Sequence, residues 1–351
     1  MKQSWEIKKI KDICSKASSN IAQNKITELD GDYPVFGASG YVQNIDFYHQ
    51  DTEYIGIVKD GSGVGRVNKY PAYSSLLGTL QYILPKEGYD LNYVGYALQS
   101  LNLAKYASGA AIPHIYFRDY GEETICVPPL TEQKRIVAIL DREFEKIDAL
   151  KGNAEKNLQH AKDLFQSVLK QELHCDKYHS LNEVYNIKTG KLNSNAAEEG
   201  GVYPFFTCSR EIFAINTYAF DCEAILLAGN NASGDFNVKY YNGKFNAYQR
   251  TYVITAKEKK TNVRILYYIL TYYLADLKQM SLGANTKFLK LGMIEDVRIP
   301  DFNEQQMACV VARLDKLQEN CRTLEENYTK TIALCDDMKQ ALLRKAFNGG
   351  L

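Results

Sequence analysis

The feature that most constrains this chain is that it is one unit written twice. Gly31-Asp-Tyr-Pro-Val-Phe36 recurs as Gly201-Val-Tyr-Pro-Phe-Phe206, an offset of 170. Ile10-x-Asp-Ile13 recurs as Leu181-x-Glu-Val184 and Ser62-Gly63 as Ser233-Gly234, both at 171. Ser108-Gly-Ala110 returns as Ser281-Leu-Gly-Ala284 with one residue inserted. Val127-Pro128-Pro-Leu-Thr-Glu132-Gln133 matches Ile299-Pro300-Asp-Phe-Asn-Glu304-Gln305 at 172. Leu140-Asp141 and Leu314-Asp315 follow at 174, as do Gln166…Leu169-Lys170 and Gln340…Leu343-Arg344. The matches keep their order, so the chain carries two copies of one architecture.

Each copy opens with short strands, at Glu53–Val58 and Leu80–Leu84 in the first and Ala224–Ala228 and Arg250–Ile254 in the second. Gly, Asn and Ser turns separate them. Short helices are expected at Asn92–Leu101 and Asn262–Leu274. The expected class is α+β.

Each copy closes with a long helix. Pro128-Pro129 and Pro300 end the first part. Thr131 and Asn303 suit N-caps, and Glu132 and Glu304 complement the helix dipole. Apolar or small residues then recur at 4-3-4-3 spacing through Leu140, Phe144, Ile147, Ala154, Leu158, Ala161, Phe165 and Val168. The second series is Leu314, Leu317, Cys321, Leu324, Tyr328, Cys335, Met338 and Leu342. A lone stripe fits a bundle helix equally well, but two at matching places in a repeat predict that they pair as a coiled coil. Gly152-Asn153 costs about 1 kcal/mol inside a helix and is a candidate kink. The expected segments are a head at 1–130, a helix at 131–174, a head at 175–301 and a helix at 302–351. Because the first helix delivers the chain to the second head, the paired helices must run antiparallel, with a pseudo-two-fold axis. A helix of roughly 40 residues spans about 60 Å. Two unequal heads on such a spacer suit a two-part target on a rod of fixed pitch, as DNA is.

Composition narrows the function. Formal net charge is zero, and neither half carries more than a slight basic excess, so phosphate attraction alone does not hold DNA to this chain. Its eight cysteines form no CxxC pair, which argues for reduced thiols and against structural zinc. No apolar run reaches membrane-spanning length, and the N-terminus lacks signal-peptide character, so a cytoplasmic location is expected.

Catalytic chemistry is not apparent. Gly61-Ser-Gly-Val-Gly65 lacks the spacing of a phosphate loop, and Pro71 forbids the long helix that would follow one. A glycine hairpin turn explains it better, with Lys59, Ser62, Arg66, Asn68 and Lys69 within reach of a nucleic acid. Its counterpart Gly229–Gly234 offers Asn230, Asn231 and Ser233. Amides of this kind pair with an adenine edge, although Asn and Gly also serve turns for their own sake. Arg210, Lys239, Asn285 and Lys287 add polar reach in the second copy, and Ser108 and His114 in the first. His174, Cys175 and His179 lack metal-ligand spacing and are expected to be solvated. Asp141, Glu143, Glu145 and Lys146 read as helix flanks. Among 26 tyrosines, Tyr82, Tyr96, Tyr252 and Tyr268 are expected in the core. Tyr73, Tyr106 and Tyr241 sit on turns where ring and hydroxyl can meet DNA.

These residues resemble a known family. A variable head followed by Pro129-Leu-Thr-Glu132-Gln133-Lys-Arg-Ile136-Val137-Ala-Ile-Leu140-Asp141, the whole repeated, resembles the specificity subunit of type I restriction–modification systems. The second copy, from Asn303-Glu304-Gln305 to Leu314-Asp315, is two residues longer and has lost the Ile-Val pair. The helix ends Leu164-Phe165-Gln166-Ser167-Val168-Leu169-Lys170 and Leu342-Leu343-Arg-Lys-Ala346-Phe347-Asn-Gly349, and the opening Trp5…Ile10-x-Asp-Ile13, also resemble the family.

The resemblance implies two target-recognition domains, each reading half of a split double-stranded DNA sequence. It implies two methyltransferase subunits docked on the helices and ATP-driven restriction subunits beyond them. S-adenosylmethionine, ATP and magnesium would then belong to the partners, with no cofactor, metal or catalytic residue in this chain. Docking and spacing would fall to Glu132, Gln133, Leu140, Ile147, Leu158, Phe165, Glu304, Gln305, Leu314, Leu324 and Met338. Two competing readings are a chain with its own methyltransferase activity, against which the missing NPP[FY] motif counts, and a protein-binding scaffold without DNA.

Overall fold

The computed structural model describes residues 5–109, 111–348 and 350. Ala110 of the repeated serine loop and Gly349 of the second helix end lie outside them. The chain divides into two compact units, one made of 1–154 with 330–351 and the other of 155–329. Each long helix therefore contributes to both units, where the sequence suggested four consecutive segments.

In the first unit, Cys14–Ser18, Leu80–Pro85, Tyr54–Val58 and Val67–Tyr70 form an antiparallel sheet in that order. A smaller sheet joins Gly40–Ile45, Tyr33–Gly37 and Ser75–Leu76, the last pair parallel. In the second unit the matching strands are Tyr185–Thr189, Thr251–Ala256, Phe220–Ala228 and Val238–Ala247. Here Val238–Ala247 is long enough to do the work of both Val67–Tyr70 and Ser75–Leu76. It also pairs in parallel with Tyr203–Phe206, so the two sheets fuse into six strands. Pro71 explains the break in the first unit, since it cannot donate to a ladder. The second unit has Asn242 there, followed by Gly243 at φ 135°.

A two-stranded clasp closes each head, Glu6–Lys9 on Thr124–Val127 and Tyr178–Ser180 on Arg298–Pro300. The expected short helices form as Leu91–Ser100 and Val263–Met280, capped by the side chains of Asp90 and Asn262. The second runs six residues past Leu274, and its buried Leu277 accounts for the extension.

Gly31 and Gly201 explain the most conspicuous repeated motif. A Cβ on Gly31 would stand 2.3 Å from the backbone carbonyl of Ile45, and one on Gly201 2.4 Å from the nitrogen of Ile215. Only glycine lets the chain pass so near its neighbouring strand. Gly31→Ala is expected to destabilise the first unit by about 1–3 kcal/mol through overpacking. An unchanged urea midpoint would rule the close approach out.

The long helices run Leu130–Glu172 and Glu304–Phe347. In the first unit Lys151 pairs with Asp336 at 2.7 Å and Asp148 with Lys339 at 2.5 Å, so residue numbers fall on one helix as they rise on the other. The segments are antiparallel, as expected. Helix one passes through Gly152-Asn153 without interruption.

Two local expectations change and one holds. Thr131 lies inside its helix, whose first amides at Glu132 and Gln133 bond to Pro129 O instead. Asn303 does cap, in a reciprocal box with Gln306: each side chain accepts from the other's backbone nitrogen at 2.9 Å. The Ile-Val pair is not lost either. Shifted by 174, Ile136-Val137 falls on Val310-Val311, and all four are buried. The sequence match at 172 misaligned the helix start because two residues are inserted before it.

Leu324 and Met338 leave the expected seam, at 39 % and 48 % exposed. The buried positions around them are Cys321 and Cys335, with Leu343 and Ala346 near the end. Leu140, Ile147, Ala154, Ala161 and Leu314 are buried as the stripe requires, while Leu158 and Phe165 are half-buried.

Candidate nucleic-acid interface

The repeated Leu-Asp step fixes each long helix to its head. Leu140 and Leu314 are fully buried. The next residue in each copy, Asp141 or Asp315, accepts a hydrogen bond from a head tyrosine, Tyr96 or Tyr268. Asp141 is therefore a structural acceptor and not a free flank. Asp315 also receives Arg264 at 2.8 and 3.0 Å. Burial, and then the Asp315 carboxylate, pushes the Tyr268 hydroxyl above its ordinary range.

Gln133 and Gln305, matched in sequence, have different surroundings. Gln133 is buried, accepts from Asp90 N at 2.9 Å and donates to Pro128 O at 2.9 Å. Gln305 is exposed, as is Glu304. Glu132 forms a two-point pair with Arg135, both contacts at 2.8 Å.

At the opposite end of the sheet, strand termini gather the candidate loops. In the first unit Gly61 N donates to Pro113 O at 2.9 Å and Ile115 N to Lys59 O at 2.9 Å, so the 59–66 turn and the 108–114 loop form one surface. Ser108 and His114 exchange backbone hydrogen bonds, and the His114 ring bonds the Asp60 carboxylate and lies 4.1 Å from Tyr116. Gly109, at φ 103°, makes the loop possible. Ser62 is exposed, and Arg66 folds back on the carbonyls of Ser62 and Gly63, each at 3.3 Å. Asn68 and Lys69 are exposed on the edge strand, Lys69 beside Glu53 at 3.2 Å. Tyr73 stands apart, exposed, at φ 53° against Tyr48. Tyr106 is tied down, donating to Glu123 at 2.5 Å.

The second unit repeats the construction with other side chains. Asn230 and Asn231 pair through their backbones with Phe288 and Lys287. Asn231 Oδ1 accepts from Ser233 N and Oγ, both at 2.9 Å, so this amide serves its own turn. Asn285 is exposed in the facing loop, where Gly283, at φ 104°, repeats Gly109. Arg210 grips Asp235 through contacts of 2.7, 2.9 and 3.1 Å. Lys239 donates to Ser209 O at 2.6 Å, and burial holds its ammonium below the usual range. Tyr241 packs on Phe206 and Phe245, so its ring belongs to the core and leaves the expected contact set.

Sequence reasoning missed the segments 191–193, 207–209 and 248–250, which complete this rim. Gln249 N bonds Leu192 O at 2.9 Å, Gly229 N bonds Arg250 O at 2.9 Å, and Asn237 bonds Cys208 O at 3.0 Å. Only strand order brings them together. His179 is not simply solvated, since it lies between Asp301 at 3.1 Å and Glu183 at 3.4 Å. Among the described residues no group of three His, Cys, Asp or Glu side chains could hold a metal. No described helix is long and apolar enough to cross a membrane.

Comparison with known proteins adds lineage to this geometry. A family model described as the type I restriction modification DNA specificity domain matches residues 2–159 and again 177–333. The specificity subunit of the type I restriction enzyme EcoDI of Escherichia coli is 36% identical over 171 residues, 49% of this chain and 37% of that relative. The match thus spans little more than a third of the relative's length. Among solved structures, a chain from work on complex assembly and conformational transition of the type I R-M system is 17% identical with a TM-score of 0.76, covering 99% of both chains. The HsdS subunit from Thermoanaerobacter tengcongensis, also 17% identical, reaches 0.54, covering 100% of this chain and 98% of its own. At such identities the likeness concerns the fold.

Proposed function

The chain belongs to the type I restriction modification DNA specificity family, and we propose that each of its units reads one half of an asymmetric, split double-stranded DNA target. One observation carries this reading. The same strand-end rim is built twice, and its central cross-loop pair is Asp60 with His114 in one copy and Asn230 with Phe288 in the other. A carboxylate accepts from cytosine, whereas an amide offers an adenine both a donor and an acceptor. Equivalent frames with unlike hydrogen-bonding groups suit unlike half-sites.

The chain acts as a non-catalytic recognition subunit. Two methyltransferase subunits dock along the long helices and supply S-adenosylmethionine and the methyl-transfer chemistry. Restriction subunits supply ATP-driven translocation and cleavage. Exposed Leu150 and Leu334 in the first unit, and Leu164 and Leu324 in the second, support helix docking, because apolar side chains in water gain from being covered.

In the complex with its methyltransferase partners, Asn230→Ala with Asn285→Ala is expected to relax one half-site and spare the other. Each lost base contact weakens discrimination by about 1–3 kcal/mol, roughly 5- to 150-fold. Mapping of methylated bases by sequencing reads the result. Equal damage to both halves, or to neither, defeats the assignment. The chain alone, given labelled S-adenosylmethionine and DNA, is expected to transfer no label.

A further inference from the structure

The two rims differ in where they keep free positive charge. Matching backbone hydrogen bonds establish which positions correspond. Gly78 N bonds Ile21 O as Gln249 N bonds Leu192 O, and Lys59 N bonds Thr79 O as Gly229 N bonds Arg250 O. Asn20 therefore corresponds to Lys191, and Thr79 to Arg250. The bridges Ser108–His114 and Leu282–Phe288 likewise set Pro113 against Lys287. One residue earlier Ala107 N bonds Ala104 O as Ser281 N bonds Lys278 O, so Ala104 corresponds to Lys278.

Lys191, Arg250 and Lys278 are exposed and Lys287 is half-buried. None of the four forms an ion pair among the described residues. They flank the amide loop: the Arg250 carbonyl holds Gly229, and the stems of Lys278 and Lys287 lie beside Gly234, within 3.3–3.5 Å of where its Cβ would stand. At the corresponding places the first unit has neutral Asn20, Thr79, Ala104 and Pro113, and the neighbouring Lys105 is neutralised by Glu123. Of its loop cations, Lys69 pairs with Glu53 at 3.2 Å and Lys59 lies 3.9 Å from Asp60, which leaves Arg66, folded onto the Ser62 and Gly63 carbonyls, as the one without a carboxylate among the described residues.

A cation already paired in the free protein releases few counterions when it meets a phosphate. An unpaired one gives the full effect, a slope of about −0.9 in log affinity against log salt per contact. We propose that Lys191, Arg250, Lys278 and Lys287 form a phosphate-backbone clamp, and that the second unit supplies most of the salt-sensitive grip on DNA. The first unit then contributes neutral polar contacts that read sequence with little general attraction. This rests on the DNA-recognition reading above, and it assigns Lys191, Arg250 and Lys278, which no sequence motif singles out.

The test is fluorescence anisotropy of a random-sequence duplex titrated with the assembled methyltransferase–specificity complex across a salt series. Lys191→Ala, Arg250→Ala and Lys278→Ala together are expected to lower the slope by two to three, about 0.9 for each lost contact. Lys59→Ala, Lys69→Ala and Lys105→Ala together are expected to change it by less than about 1 on the same scale. Arg250→Lys in otherwise wild-type protein is expected to keep the wild-type slope, because the charge remains. Equal slopes for the two triple variants, or no change in the first, would overturn the clamp while leaving DNA recognition intact. A wild-type complex that bound no duplex would overturn the recognition reading and the clamp with it.

Discussion

Exchanging the segment between Glu6 and Val127 for that of another family member is expected to replace one half of the recognised sequence and leave the other half unchanged. The structure makes the exchange physically reasonable. Glu6 and Val127 face each other across the antiparallel clasp that closes the first head, so entry and exit are neighbouring strands. The graft then disturbs the host at that clasp and where the head meets the long helices, the second of which packs Phe347 against Tyr93. That second boundary includes the Asp90–Gln133 and Tyr96–Asp141 bonds, so the donor must supply residues for both. On the proposed reading a half-site is recognised by loops at the far end of the sheet, so its identity should travel whole with the graft. Methylation mapping in cells carrying the hybrid reads the outcome. A hybrid that kept both original half-sites, or altered both, would refute one-head, one-half recognition.

Leu314→Ala is expected to cost about 2–5 kcal/mol, the range for a fully buried leucine whose cavity does not collapse. Leu314 is inaccessible to solvent in the core joining the second long helix to its head, directly before the Asp315 that binds Arg264 and Tyr268. Leu324, which shares the sequence stripe with Leu314, is 39 % exposed. Leu324→Ala is therefore expected to stay within about 0.5 kcal/mol of wild type. Urea denaturation of the full chain, followed by far-ultraviolet circular dichroism, compares the two. Equal losses would mean that Leu324 is buried in solution and that the seam is the one the heptad spacing suggests.

That contrast shows why the stripe was only partly legible. Heptad spacing names positions that lie on one side of a helix, but each of these helices packs on a head near both of its ends and on another helix between them. The side that must be apolar changes along its length. Leu314 faces the head and Cys335 the partner helix, and a single period cannot mark both. The candidate loops were more legible. Gly61–Gly65, Ser108–His114, Gly229–Gly234 and Ser281–Lys287 all reach the strand-end rim, because turn chemistry is local. Individual side chains fared differently. Tyr241 sits on a turn-rich stretch yet packs on Phe206 and Phe245, while Arg250, one residue before a strand, lies at the centre of the rim.

The sequence by itself determined the duplication, the helix starts to within a residue or two, the antiparallel order of the helices and the polar character of the loops. Each of these depends on periodicity, capping or chain connectivity, which neighbouring residues encode. The tertiary structure alone decided that the sheets of the second unit fuse, that Gln133 is sealed while Gln305 is free, and that Lys105 is neutralised while Lys278 is not. Those outcomes depend on partners far away in the chain, and burial or an ion pair exists only once folding has brought the two together.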